Sequence, residues 1–199
     1  MAIASQQAYG GVGDRGVKPV GSNPFTDPTF RHGEVETDLS TVFLAGDIVA
    51  RITESDGESP ARIIDANEDW FVEVYLKLTG SLLPMICGNL CFRLIGENIG
   101  PGGDDYEREA DGGLVPLDPC GDGLYYGKIS VPKNDVKIEN CGTPYKLTVV
   151  ATYLTNCPLK KYSAYPEHPV SNDLRPGPLA GLVTFPMSLF IYEGVEPNP

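Results

Sequence analysis

Between Trp70 and Thr79 the side chains alternate in character. Trp70, Val72, Val74, Leu76 and Leu78 fall on one face of an extended chain, and Glu73, Lys77 and Thr79, with Phe71 and Tyr75, fall on the other. A repeat of 2 is not the 3.6-residue repeat that a helix buries, so the segment commits to a half-buried strand. The pattern recurs in Met85–Ile95, where Ile86, Leu90, Phe92 and Leu94 oppose Cys87, Asn89, Cys91 and Arg93. Val42–Thr53, Leu124–Val131, Tyr145–Thr155 and Leu179–Tyr192 are rich in β-branched and aromatic residues. Gly46-Asp47 interrupts the first of these, and Pro186 demotes part of the last to an edge or a bulge. No window longer than a turn or two holds a helical period, although Asp65–Asp69 suits a single helical turn. The turns come from 23 glycines and 18 prolines among 199 residues. The expectation is an all-β chain: an antiparallel sandwich of about seven strands, Ig-like or jelly-roll-like, over residues 42–199.

Residues 1–41 read differently. Gly10, Gly11, Gly13, Gly16 and Gly21 alternate with Pro19, Pro24 and Pro28, and the apolar residues follow neither period. Such a segment is expected to be an extended arm. Val12, Val17, Val20, Phe25 and Phe30 are its apolar anchors, and through them it is expected to dock on a neighbouring surface.

Charge narrows the function. Lys plus Arg number 15 and Asp plus Glu 27, a formal net charge of −12. That balance repels phosphate backbones and excludes nucleic-acid binding through bulk charge. The longest uncharged stretches are Leu78–Phe92, too short for a bilayer, and Pro176–Tyr192, which carries three prolines, so no membrane span is expected. The first residues, MAIASQQAYGGVGDRG, show no basic region followed by an apolar run, and no secretory signal is read there.

Motifs with chemistry are sparse. Gly11-Val12-Gly13-Asp14-Arg15-Gly16 fits G-x-G-x-x-G, but Pro19 opposes the helix that a pyrophosphate site requires, so the arm reading wins. The loop Gly96–Asp118 holds Asp104, Asp105, Glu107, Glu109 and Asp111, a set of hard oxygen donors suited to calcium, although the spacing is not that of an EF-hand. The loop Asn156–Pro178 is Pro-rich and carries Lys160, Lys161, Tyr162 and Tyr165. The two histidines, His32 and His168, stand apart, and no nucleophile elbow, zinc-protease or P-loop pattern occurs.

Five cysteines leave at least one unpaired within the chain. If strands 124–131 and 145–155 are antiparallel neighbours, Cys120 and Cys157 meet at one end, and their disulfide is the expected pairing.

These features converge on a non-catalytic structural subunit of an appendage, shell or decoration. It is expected to self-associate through its arm and strand edges into a homo-oligomer or larger protein assembly. An extracellular or particle-surface setting is favoured over the cytoplasm. The alternative is a carbohydrate- or calcium-binding β-sandwich module, and a hydrolase is the third reading.

Overall fold

The computed structural model describes residues 23–37, 39–55, 63–100, 104–138, 142–155, 175–184 and 189–192. The G-x-G-x-x-G match, Val12, Val17, Val20, Cys141, Cys157 and His168 lie outside them. Twelve strands form among the described residues, joined by turns and one short 3-10 segment, Leu83–Met85. No described helix is long and apolar enough to cross a membrane. The strands are β1 (Arg31–His32), β2 (Glu34–Thr37), β3 (Ala45–Glu54), β4 (Ile63–Asp65), β5 (Trp70–Thr79), β6 (Asn89–Asn98), β7 (Tyr106–Glu109), β8 (Val115–Pro116), β9 (Leu124–Val131), β10 (Thr143–Thr155), β11 (Arg175–Thr184) and β12 (Leu189–Tyr192).

They form two sheets. The first has the order β1-β3-β5-β9, antiparallel throughout. The second has eight strands, built on β10. One side of β10 pairs with β6 from Tyr145↔Asn98 to Leu154↔Asn89. Its other side is shared, with β12 at Thr143–Tyr145 and β11 at Thr148–Thr155. Outside these, β2 pairs with β11, β7 and β8 pair with β6, and β4 joins β12 in the one parallel pairing among the described residues.

The faces follow the alternation. Val72, Val74, Leu76 and Leu78 of β5, and Leu90, Phe92 and Leu94 of β6, are essentially inaccessible and share one cluster with Leu147, Val149 and Ala151 of β10. Residues from both sheets meet there, as in a two-sheet sandwich. Each of the valine, leucine and phenylalanine side chains stabilises the fold by about 1.5–3 kcal/mol on burial. Two glycines let the sheets approach. A Cβ on Gly127 of β9 would lie 2.6 Å from the Phe92 ring, and one on Gly181 of β11 would lie 3.0 Å from Ile48.

The boundary expected at residue 41 falls beyond strands already in place. Arg31–His32 pairs with β3 in the first sheet, and Glu34–Thr37 with β11 in the second. The chain changes sheets at Gly33, whose N–H donates to Ile48 O at 2.9 Å. The loop expected over Gly96–Asp118 also holds structure. β6 runs on to Asn98, and β7 and β8 lie along it. Asp65–Glu68 is a turn rather than a helix, because the Asp65 side chain accepts the Asn67 N–H and the Asp65 carbonyl accepts the Glu68 N–H.

Candidate interaction surface

Residues 23–30 lie on the outer face of the first sheet, and side-chain hydrogen bonds shape them. Asn23 Oδ1 accepts the Phe25 N–H, while Asp27 Oδ1 accepts both the N–H and the hydroxyl of Thr29. These two turns bring Phe30 back onto the sheet, where it is buried with Val49 and Tyr75 in a second apolar cluster. Phe25, Leu124 and Tyr126 pack against that cluster. Phe30 meets Tyr75 edge-on at 5.6 Å, and Tyr75 tilts against Tyr126 at 4.9 Å. The Arg51 guanidinium lies 4.6 Å from the centre of the Phe30 ring and donates through Nε to Glu73 Oε2. Glu73 is thus a buried carboxylate with a partner. Burial beside Glu73 pushes the Tyr75 phenol up, and pushes Tyr126 far up. Two of the five residues expected to anchor the arm, Phe25 and Phe30, therefore pack against the sheet of their own chain.

The acidic residues expected to hold calcium do not converge. Asp104 pairs with Lys137 at 2.7 Å, and that ammonium holds its carboxyl below the usual range. Asp105 accepts the Asn98 N–H. Glu107 and Glu109 pair with Arg93, and Asp111 accepts both the N–H and the hydroxyl of Ser130. Among the described residues no three His, Cys, Asp or Glu side chains gather as a metal site. The physical reason is β7. As a strand it spreads its carboxylates along an edge, where a calcium loop would wrap them around one point.

The thiols also differ from expectation. Cys120 is a free, exposed thiol and Cys91 a free, buried one, while Cys87 is disulfide-bonded. The Cys120–Cys157 bridge presumed that strands 124–131 and 145–155 were neighbours. They belong to different sheets: β9 pairs with β5, and β10 with β6. Cys120 is instead held in a turn by its N–H bond to Asp118 Oδ1. His32, in β1, is exposed.

The ends of the sheets are unequal. In the second sheet β2 places the exposed Glu34 and Glu36 along one end, and β7 places Glu107 and Glu109 along another. Charges on an edge discourage pairing with other chains. In the first sheet β9 ends the order with eight residues, and Lys128 is the one charged side chain among them. The Leu78 N–H bond to Gly123 O places the odd-numbered residues of β9 toward β5. The even-numbered residues therefore turn their N–H and C=O groups outward. Leu124 N–H is taken by Asp122 Oδ1, Lys128 O by the Asp111 N–H, and Ser130 N–H by Asp111 Oδ1. Among the described residues no partner reaches Leu124 O, either backbone group of Tyr126, or Lys128 N–H. Alternation placed β9 in the sequence, but its position at the end of a sheet depends on pairings some fifty residues away, which no local pattern carries.

No protein-family model matches the chain, and no curated protein is recognisably similar to it.

Proposed function

We propose that the chain is a non-catalytic structural subunit, of the shell, appendage or decoration kind, on a sandwich of Ig-like or jelly-roll-like type. It self-associates through its N-terminal segment and strand edges into a homo-oligomer or larger protein assembly. The observation that carries the reading is the anchoring of residues 23–30. Phe30 under Arg51 ties residues 23–30 to the outer face of the first sheet, and residues 1–22 precede them in the sequence. Those residues offer Val12, Val17 and Val20 as apolar contacts. At about 1.5–3 kcal/mol each, three valines fall short of the ordering cost of some twenty residues at roughly 1–2 kcal/mol per backbone position. Main-chain hydrogen bonds to a strand edge of another subunit make up the difference. The carbohydrate-binding alternative needs several aromatic rings together and free to stack on a sugar; Tyr75 and Phe30 pack on each other, and Phe43 is exposed.

Light scattering on the full chain and on a variant lacking residues 1–22 tests the reading. The full chain is expected to form large assemblies. The truncated chain keeps Phe25 and Phe30, and is expected to retain its melting temperature and form nothing larger than a dimer. A full chain that stays monomeric at high concentration, or a truncated chain that assembles equally well, overturns the proposal.

A further inference from the structure

We infer that two copies of this chain pack end to end, across a two-fold axis, through an uncharged apolar patch at one end of the first sheet. Leu39, Val42, Phe43 and Met85 form the patch. The inference rests on the assembly reading and names a contact in it that does not use residues 1–22.

The patch is built by two segments that the fold brings together, the turn before β3 and the 3-10 segment after β5. The Ser40 carbonyl accepts the Phe43 and Leu44 N–H groups and so closes the turn, with Leu44 buried in the core. The Val42 and Phe43 carbonyls then accept the N–H groups of Ser81 and Leu82, at 3.3 and 2.9 Å. Gly80 permits this approach: at φ +124° it has no Cβ, and one placed there would lie 2.4 Å from the Phe43 carbonyl oxygen. With its backbone held so, Val42 is left 72% exposed and Phe43 49%, and Met85 across from them 76%. The four apolar side chains expose on the order of 400 Å², the size of patch that single chains keep for binding.

Charge identifies the occupant as a second copy. A chain of net charge −12 repels itself, so it touches its own kind where charge is missing. Residues 39–46 and 78–92 contain no charged side chain, in a sequence that is 21% charged. At their borders Asp47 stands opposite Lys77, one charge of each sign. The loop before β9 reaches the same end through the Leu78 N–H bond to Gly123 O, and its Asp118 and Asp122 each accept an N–H of that loop. A two-fold contact sets a surface against itself, and an uncharged apolar patch is complementary to itself. The other exposed apolar side chains are less suited: Ile63 lies two residues from Asp65, and Ile99 two from Glu97. β2 and β7 would set glutamates against glutamates. Closing two patches, with the exposed Ser40, Thr41, Ser81 and Pro84 around them, buries on the order of 1,200 Å², where specific interfaces begin.

The test sets two charge variants of the full chain beside the unaltered one, by light scattering over a dilution series. One is Val42→Glu/Met85→Glu and the other Val42→Lys/Met85→Lys. Both positions are exposed, so circular dichroism is expected to be unchanged. Each variant alone is expected to need at least about tenfold more protein to reach the same mean mass, because like charges then face each other across the axis. An equal mixture of the two is expected to regain that mass. Undiminished assembly in both variants overturns the end-to-end contact and leaves the assembly reading in place. Diminished assembly that mixing does not restore also overturns it, since the patch then meets something other than its own copy, such as residues 1–22 of a neighbour. An unaltered chain that stays monomeric overturns both readings. Thr41→Glu, on the exposed turn beside Val42, gives a second measurement that removes no apolar group. It is expected to weaken assembly in the same direction, and an unchanged mean mass overturns the inference.

Discussion

Single residues carry two consequences. Cys87 is disulfide-bonded while Cys91 and Cys120 are free, so Cys141 or Cys157 is its partner within the chain. Asn89 lies opposite Leu154, and Asn98 opposite Tyr145. Cys157 follows the first pair by three residues. Cys141 precedes the second by four residues, and the two pairs stand about 30 Å apart at the strand rise, against the roughly 7 Å that a disulfide spans. Peptide mapping without reduction is expected to find Cys87 linked to Cys157, and a Cys87–Cys141 peptide would contradict the register. Glu73 is the second case. Glu73→Gln leaves Arg51 facing a neutral amide beneath Phe30 and is expected to lower stability by about 1–3 kcal/mol in urea unfolding. Adding Arg51→Met is expected to recover part of that loss, because the pair is then removed together. Additive losses would place the energy outside the pair.

At the scale of elements, the contact between sheets is sharpest where β9 crosses β6. Gly127 is core-facing and 2.6 Å from the Phe92 ring once a Cβ is added, with backbone angles open to any residue. Gly127→Ala is therefore a purely steric insult, expected to cost roughly 1–3 kcal/mol in urea unfolding. Gly127→Ala with Phe92→Leu is expected to be milder than Gly127→Ala alone, and equal losses would show that the ring is not the obstacle. The long strands were legible in the sequence because their buried faces alternate. Trp70 through Leu78 appear as read, and Leu90, Phe92 and Leu94 likewise. Tyr106–Glu109 escaped because an edge strand exposes carboxylates where a central one shows aliphatic groups. Glu34–Thr37 escaped for the same reason, because the glycines and prolines before it give the whole stretch the composition of an arm. The outer cluster was half legible. Phe25 and Phe30 stood out as anchors, but Glu73 and Tyr75 read as a solvent face, since nothing local says that Phe30 returns to cover them. The five carboxylates misled because composition records donors and not their spread along a strand.

For the molecule as a whole, the buried and half-buried tyrosines set an alkaline limit. Tyr75, Tyr106, Tyr126, Tyr145 and Tyr153 are all raised above the ordinary 10.0, burial being the first cause in each. The folded chain keeps these protons where the unfolded chain sheds them, so stability is full below pH 10 and falls as pH rises past it. Phenolate absorbance is expected to appear together with loss of β-sheet circular dichroism, and ionisation of all ten tyrosines before any unfolding would contradict this. The switch of the chain between sheets at Gly33 has a consequence in time. Glu34–Thr37 reaches its place only when Leu179–Leu182 has been made, so one of the earliest strands synthesised waits for one of the last. β3 and β5 can pair as soon as both have emerged, although β4 between them waits for β12, and the cover for their inner face arrives with β6 and β10. Loop closure of that span is slow, and the domain is expected to fold in milliseconds to seconds. A ribosome that stalls beyond β9 leaves the inner face of the first sheet covered by β6 without β10, a half-clad apolar surface and a natural substrate for chaperones.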